Sequence, residues 1–99
     1  MVNKISPIHP GEVLFEDFLK PMNISQNQLA GDLAVSTRRI NEIVNCKRSI
    51  TADTALRLAA CFGNSPSFWP GLQMEYDLDA AEDALSSKIK KVVRRQASA

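Results

Sequence analysis

The chain has little of almost everything that would advertise chemistry. Its 99 residues contain two cysteines, Cys46 and Cys61, fifteen positions apart, and one histidine, His9. Neither a disulfide framework nor a zinc ligand set is spelled out by that inventory, and free thiols in buried or half-buried positions are the expectation. No metal or cofactor is expected. No hydrophobic run approaches the roughly 18 residues of a membrane-spanning helix, and the N-terminal Met1 to Pro7 lacks the apolar core of a signal peptide. A cytoplasmic protein without membrane contact is therefore expected. Charge of one sign is also lacking: 12 Lys and Arg against 11 Asp and Glu leave +1. Taken in bulk, that balance argues against a nucleic-acid partner. About 100 residues make one small domain, too short for a large enzyme. Glu12, Glu16 and Asp17 have no paired base or nucleophile, so no catalytic dyad is expected and no enzymatic activity is assigned.

Short helices bounded by capping and breaking residues are present, and no segment alternates with the period of a strand. An all-α fold follows. The first helix opens at His9-Pro10-Gly11, carries Val13, Leu14, Phe15, Phe18 and Leu19, and is expected to break at Pro21 and Asn23. Ser25 caps a second helix through Leu33, and Ser36 caps a third a few residues later. Thr51 caps a fourth that Gly63 closes. A fifth starts around Ser65-Pro66-Ser67 and holds Phe68, Trp69, Leu72 and Tyr76. From Asp77 on, Leu78, Ala81, Leu85, Ile89 and Val92 recur at steps of three and four, forming the stripe of an amphipathic C-terminal helix. Its start is acidic and its end basic, and Gln96 to Ala99 should fray. The division expected is residues 1–76 as one helical domain and 77–99 as a C-terminal helix and tail for dimerisation or partner contact.

Two short helices joined by a tight turn form the helix-turn-helix unit, whose second helix can enter the DNA major groove. At 100° per residue, Ile40, Ile43 and Val44 share one side of the third helix. Arg38, Asn41, Glu42 and Asn45 lie opposite, with Thr37 and Arg39 on the flanks. Arginine can pair with guanine, asparagine with adenine, and glutamate can accept from cytosine. Lys47 and Arg48, beyond the helix, and Gln26, at the start of the second helix, are candidates for phosphate contact. From Ser36 to Arg57, Arg38, Arg39, Lys47, Arg48 and Arg57 outnumber Glu42 and Asp53, a local surplus that the whole-chain balance conceals. The candidate DNA-binding set is thus Gln26, Ser36, Thr37, Arg38, Arg39, Asn41, Glu42, Asn45, Lys47 and Arg48.

The residues His9-Pro10-Gly11-Glu12, Leu29-Ala30, Val35-Ser36, Arg39 to Asn45, Lys47-Arg48, Ile50 to Ala59, Phe68-Trp69, Leu72-Gln73 and Tyr76-Asp77-Leu78 together carry a resemblance. The chain resembles the HigA family of antitoxins, within the Xre/lambda-repressor-like helix-turn-helix regulators. The resemblance implies a five-helix DNA-binding core that dimerises, represses its own operon at a palindromic operator, and neutralises a HigB-type toxin, a ribosome-dependent mRNA endonuclease. It also implies that Phe68 and Trp69 pack in the core. A stand-alone repressor without a toxin is the alternative, and a protein-interaction module using the same helices is a third class. The chain departs from the family pattern at three places. Ala34 and Cys46 stand where glycine is usual, and Pro70-Gly71 replaces Leu-Asn, so the fifth helix is expected to start late or bend.

Overall fold

The computed structural model describes residues 7–97, and among them every regular element is helical. Met1 to Ser6, where a signal peptide was sought, and Ser98 and Ala99 of the tail lie outside the described residues. The first helix is composite: α1 (Pro10–Val13), a π-helical segment (Leu14–Leu19) and α2 (Lys20–Met22) follow one another without interruption. Helices α3 (Gln26–Leu33), α4 (Thr37–Val44), α5 (Ala52–Phe62) and α6 (Phe68–Val92) complete a five-helix arrangement.

The caps fall where the side chains can satisfy free N–H groups. Ser25 Oγ accepts from Gln28 N at 3.0 Å and Ser36 Oγ from Arg39 N at 3.1 Å. Thr51 caps α5, and Gly63 ends it at φ 76°. Pro21 departs from expectation, because the helix continues past it and stops at Asn23, which is left-handed at φ 56°. A proline inside an α-helix clashes with the carbonyl four residues back. Here the wider π turn precedes it, with Lys20 N–H bonded to Phe15 O five residues back, and that turn gives the ring room.

The fifth and C-terminal helices are one. Nothing between Tyr76 and Leu78 breaks the helical hydrogen bonding, and the Gln73 side chain donates across the expected junction to Asp77 Oδ1 at 3.0 Å. Nor does the fifth helix start late: it begins at Phe68, before Pro70. Proline in the first turn lacks an N–H that would have no helical partner there, and Gly71 N then bonds Ser67 O at 2.9 Å.

Leu14, Leu19, Leu29, Ile40, Ile43, Leu58 and Trp69 form the centre of the core. Trp69 is fully buried, with Phe18 at 5.1 Å and Phe62 at 6.5 Å between ring centroids, and its indole N–H donates to Asn64 Oδ1 at 2.9 Å. Phe68 differs from expectation in lying at the core's edge, 37% exposed, with its ring edge-on to Trp69. Consecutive helical positions point about 100° apart, and here Trp69 takes the inward direction while Phe68 faces the rim. Both cysteines are exposed as well, contrary to expectation: Cys46 follows the end of α4 and Cys61 lies on the outer side of α5.

Beyond residue 80 every described position is exposed. The radius of gyration, 16.9 Å, exceeds the roughly 13 Å of a compact 100-residue domain. The second half of α6 projects from the globule as an arm.

His9 and Gly11 set the N-terminal corner. His9 is buried, its Nδ1 accepts from Gly11 N at 2.9 Å, and its ring meets Tyr76 edge-on at 4.8 Å. Burial pushes its pKa below the usual histidine value, with Asp77 and Glu12 opposing. The folded state thus favours the neutral ring, and the unfolded chain binds the proton more readily. Stability should be full above the usual histidine pKa and should decline as the pH falls below it, through the lowered folded-state value. His9→Gln should flatten that slope in urea titrations at a series of pH values.

Gly11 lies so close to α4 that an added Cβ would overlap the carbonyl oxygen of Ile43. Gly31 has nothing within 4 Å of the corresponding position. Gly11→Ala should therefore destabilise the fold by about 3 kcal/mol or more, the upper end for overpacking. Gly31→Ala should stabilise it by about 0.5–1 kcal/mol. Equilibrium unfolding of both variants checks the contrast.

Candidate nucleic-acid interface

The unit that presents the candidate residues is α3, a three-residue turn and α4. The turn is closed by Ala34 at φ 57°, with Ala34 N bonded to Gly31 O at 3.2 Å and Val35 N to Ala30 O at 3.0 Å. That pairing is a Schellman cap, in which a left-handed residue satisfies two terminal carbonyls. Ala34 takes the left-handed conformation although it is not glycine, and Cys46 does the same at φ 63° after α4, with Lys47 N bonded to Glu42 O at 2.8 Å. Both sites where glycine is missing keep the glycine geometry. The apolar face of α4 is as the helical wheel predicts: Ile40 and Ile43 are fully buried and Val44 half-buried.

On the outward face the side chains are tied to one another. Asn41 Nδ2 donates to Gln26 Oε1 at 3.1 Å, and Asn45 Nδ2 donates to Asn41 Oδ1 at 3.2 Å. The amides of both helices therefore form one ladder. Arg38 Nε and Arg48 Nε donate to opposite oxygens of Glu42, at 3.0 and 2.8 Å. A second carboxylate, Asp53 on α5, is held between Arg39 at 2.8 Å and Arg57 at 3.1 Å. Arg38 and then Arg48 hold the Glu42 carboxyl below its usual pKa, and Arg39 and then Arg57 do so for Asp53.

The structure thus joins Gln26, Asn41 and Asn45 in one hydrogen-bonded set and Arg38, Glu42 and Arg48 in another. Thr37 and Lys47 are exposed, and Ser36 serves as the cap of α4. Arg39 is turned to α5, where it also reaches Thr54 Oγ1 at 3.3 Å, and it braces the two helices together. Arg57 was absent from the candidate set. It donates to Leu33 O at 2.8 Å and Ala34 O at 3.4 Å, which fastens α5 to the turn. The spacing of Asp53 and Arg57 was a legible i,i+4 pair, but the carbonyls lie more than twenty residues away in sequence. The local positive surplus resolves into two arginine–carboxylate–arginine triads and Lys47. Among the described residues, no group of three or more His, Cys, Asp or Glu side chains is arranged to hold a metal ion. No helix among them is long and apolar enough to cross a membrane.

The helix-turn-helix family profile matches residues 16–69, which include the turn, both flanking helices and α5. The chain belongs to the helix-turn-helix family. This helix-turn-helix protein is 54% identical to virulence-associated protein I of Dichelobacter nodosus over 81% of its own length and 74% of that protein. Among solved structures, it is similar to an addiction module antidote protein of the HigA family from Coxiella burnetii. That match has a TM-score of 0.88 and 49% identity, covering 93% of this chain and all of the other. It is also similar to the Pseudomonas aeruginosa antitoxin HigA with the higBA promoter, at a TM-score of 0.89 and 42% identity, covering 92% and 99% of the two chains. These neighbours bear out the resemblance to HigA-family antitoxins that the residues carry, and the class is a non-enzymatic one of antitoxins and transcriptional regulators.

The left-handed positions at Ala34 and Cys46 of this helix-turn-helix protein carry backbone strain that glycine would release. Ala34→Gly and Cys46→Gly should each raise stability by about 0.5–1 kcal/mol. Thermal unfolding monitored by circular dichroism measures the gain, and a lowered midpoint would mean that these turns are not strained.

Proposed function

We propose that this chain is a sequence-specific DNA-binding antitoxin that represses its own operon as a dimer and neutralises a HigB-type mRNA endonuclease in the cytoplasm. The observation that carries the reading is the polar face of α4, where Arg38, Asn41 and Asn45 stand outward on a helix whose opposite face is locked into the core. Support comes from the Pseudomonas aeruginosa antitoxin HigA, whose structure with the higBA promoter has the same fold. In this reading Thr37, Arg38, Asn41 and Asn45 meet base edges, while Gln26, Ser36, Lys47 and Arg48 meet the backbone. Arg39 and Glu42 act within the triads that hold the surface in shape.

Residues 1–76 are proposed as the DNA-binding part and 77–99 as the arm for a second copy or the toxin. The arm exposes Leu78, Leu85, Ile89 and Val92 along α6, an apolar stripe left uncovered by the chain's own core. Two-fold pairing would place two α4 helices about one DNA turn, roughly 34 Å, apart and convert modest single contacts into useful affinity.

Binding of the full chain to the DNA upstream of its own gene, titrated across a salt series, tests the reading. Affinity should fall steeply with salt because phosphate contacts release counterions. Arg38→Ala should abolish preference for that DNA over unrelated duplex. Lys47→Ala should weaken binding to both alike and lower the salt slope by about one. Absence of binding, or a flat salt response, would remove the DNA-binding function. Co-purification with the product of an adjoining small reading frame separates antitoxin from stand-alone repressor.

A further inference from the structure

A glutamate on the outward face of a recognition helix is an awkward group to bring against phosphates, since its charge repels them. Read from the helical wheel alone, Glu42 is an acceptor for cytosine. Its surroundings give it different work. Both carboxylate oxygens are occupied: Oε2 by Arg38 Nε at 3.0 Å, and Oε1 by Arg48 through Nε and Nη2, both at 2.8 Å. The Glu42 side chain is 26% exposed, against 84% for Arg38, so the carboxylate sits low between the guanidinium groups and the arginine stands above it. Arg38 spends only its Nε proton on the pair. The terminal nitrogens, which would pair with guanine O6 and N7, remain available.

We infer that Glu42 is a positioning residue, which holds Arg38 of the recognition helix and Arg48 of the following loop in one fork and does not itself read a base. This rests on the DNA-binding reading above. Arg38 is one turn before Glu42 on the same helix, whereas Arg48 comes from beyond the left-handed Cys46. The carboxylate thus couples a side chain aimed at base edges to one placed for the backbone. Two arginines around one glutamate leave a net positive cluster, which removes the electrostatic objection to an acid on this face. An unrestrained arginine side chain would have to surrender its rotamer freedom on binding, and the pair removes part of that cost beforehand.

Selection from randomised duplexes, with full-length wild-type, Arg38→Ala, Glu42→Ala, Glu42→Gln and the double variant Arg38→Ala/Glu42→Ala, tests the assignment. Melting temperatures confirm that each variant is folded. Glu42→Gln, which matches the native shape, carries the test if Glu42→Ala is not. Wild type should enrich a defined sequence. Either Glu42 variant should lose discrimination, about tenfold, at the same base pair that Arg38→Ala relaxes. The double variant should lose no more there than Arg38→Ala alone. Affinity for unrelated duplex should stay level or rise, a result that a general loss of structure would not give. Relaxation at a base pair different from that of Arg38, or full discrimination retained in the Glu42 variants, overturns the assignment while leaving the DNA-binding reading intact. Failure of the wild type to enrich any sequence overturns both.

Discussion

The approach of the Gly11 backbone to the Ile43 carbonyl is the contact on which the rest of the arrangement depends. It brings the N-terminal helix against the last turn of α4 at a distance no side chain permits. Several features nearby serve the same corner. His9 caps the helix through Gly11 N, Tyr76 packs against the imidazole, and Leu14 continues into the core one turn later. Because Ile43 belongs to the candidate recognition helix, the inner face of α4 is held by backbone against backbone. Its outer face is left free for polar side chains. Gly11 therefore matters through its absent side chain, and Gly31, open to solvent, does not.

The outer surface is built on a repeated device, a carboxylate between two arginines. One triad lies along α4 and its following loop; the other ties α4 to α5 and, through Arg57, to the turn carbonyls of Leu33 and Ala34. These pairs are exposed, and exposed pairs contribute little to stability. Their value is in geometry, since each guanidinium has a restricted direction and the turn is gripped from outside. The amide ladder from Gln26 through Asn41 to Asn45 adds the same kind of restraint. Polar side chains that would otherwise sample many rotamers are thereby ordered before any partner arrives.

Much of this was legible in linear order. Ser25, Ser36 and Thr51 announce three helix starts because their hydroxyl groups reach an N–H two or three residues on, a purely local geometry. Gly63 announces an end, and the 3.6-residue period assigns Ile40 and Ile43 inward. Pro21 was misread, because a proline is judged as a breaker by its own clash, while the π turn that relieves it is built by the preceding residues. The change in apolar pattern at residue 77 marks a helix leaving the globule, not a new helix beginning, because α6 runs through it unbroken. Phe68 and Trp69 share an aromatic character that period alone cannot divide between core and edge.

By itself the sequence determined the caps, the helical periods, the inward face of α4 and the polar residues on its other side, all interactions within about four residues of chain. The tertiary structure decided which polar residues meet each other. Arg39 could have extended along the recognition face, but Asp53, fourteen positions away, turns it to α5. Glu42 pairs with Arg38 one turn away on its own helix, but its second partner, Arg48, comes from the loop beyond the left-handed Cys46. Gly11 could have been an ordinary first-turn residue, but α4 passes where its Cβ would be. Side-chain type and spacing carry local preferences. The partner of a long charged side chain, and the closeness of two backbones, are set only when separate helices are brought together.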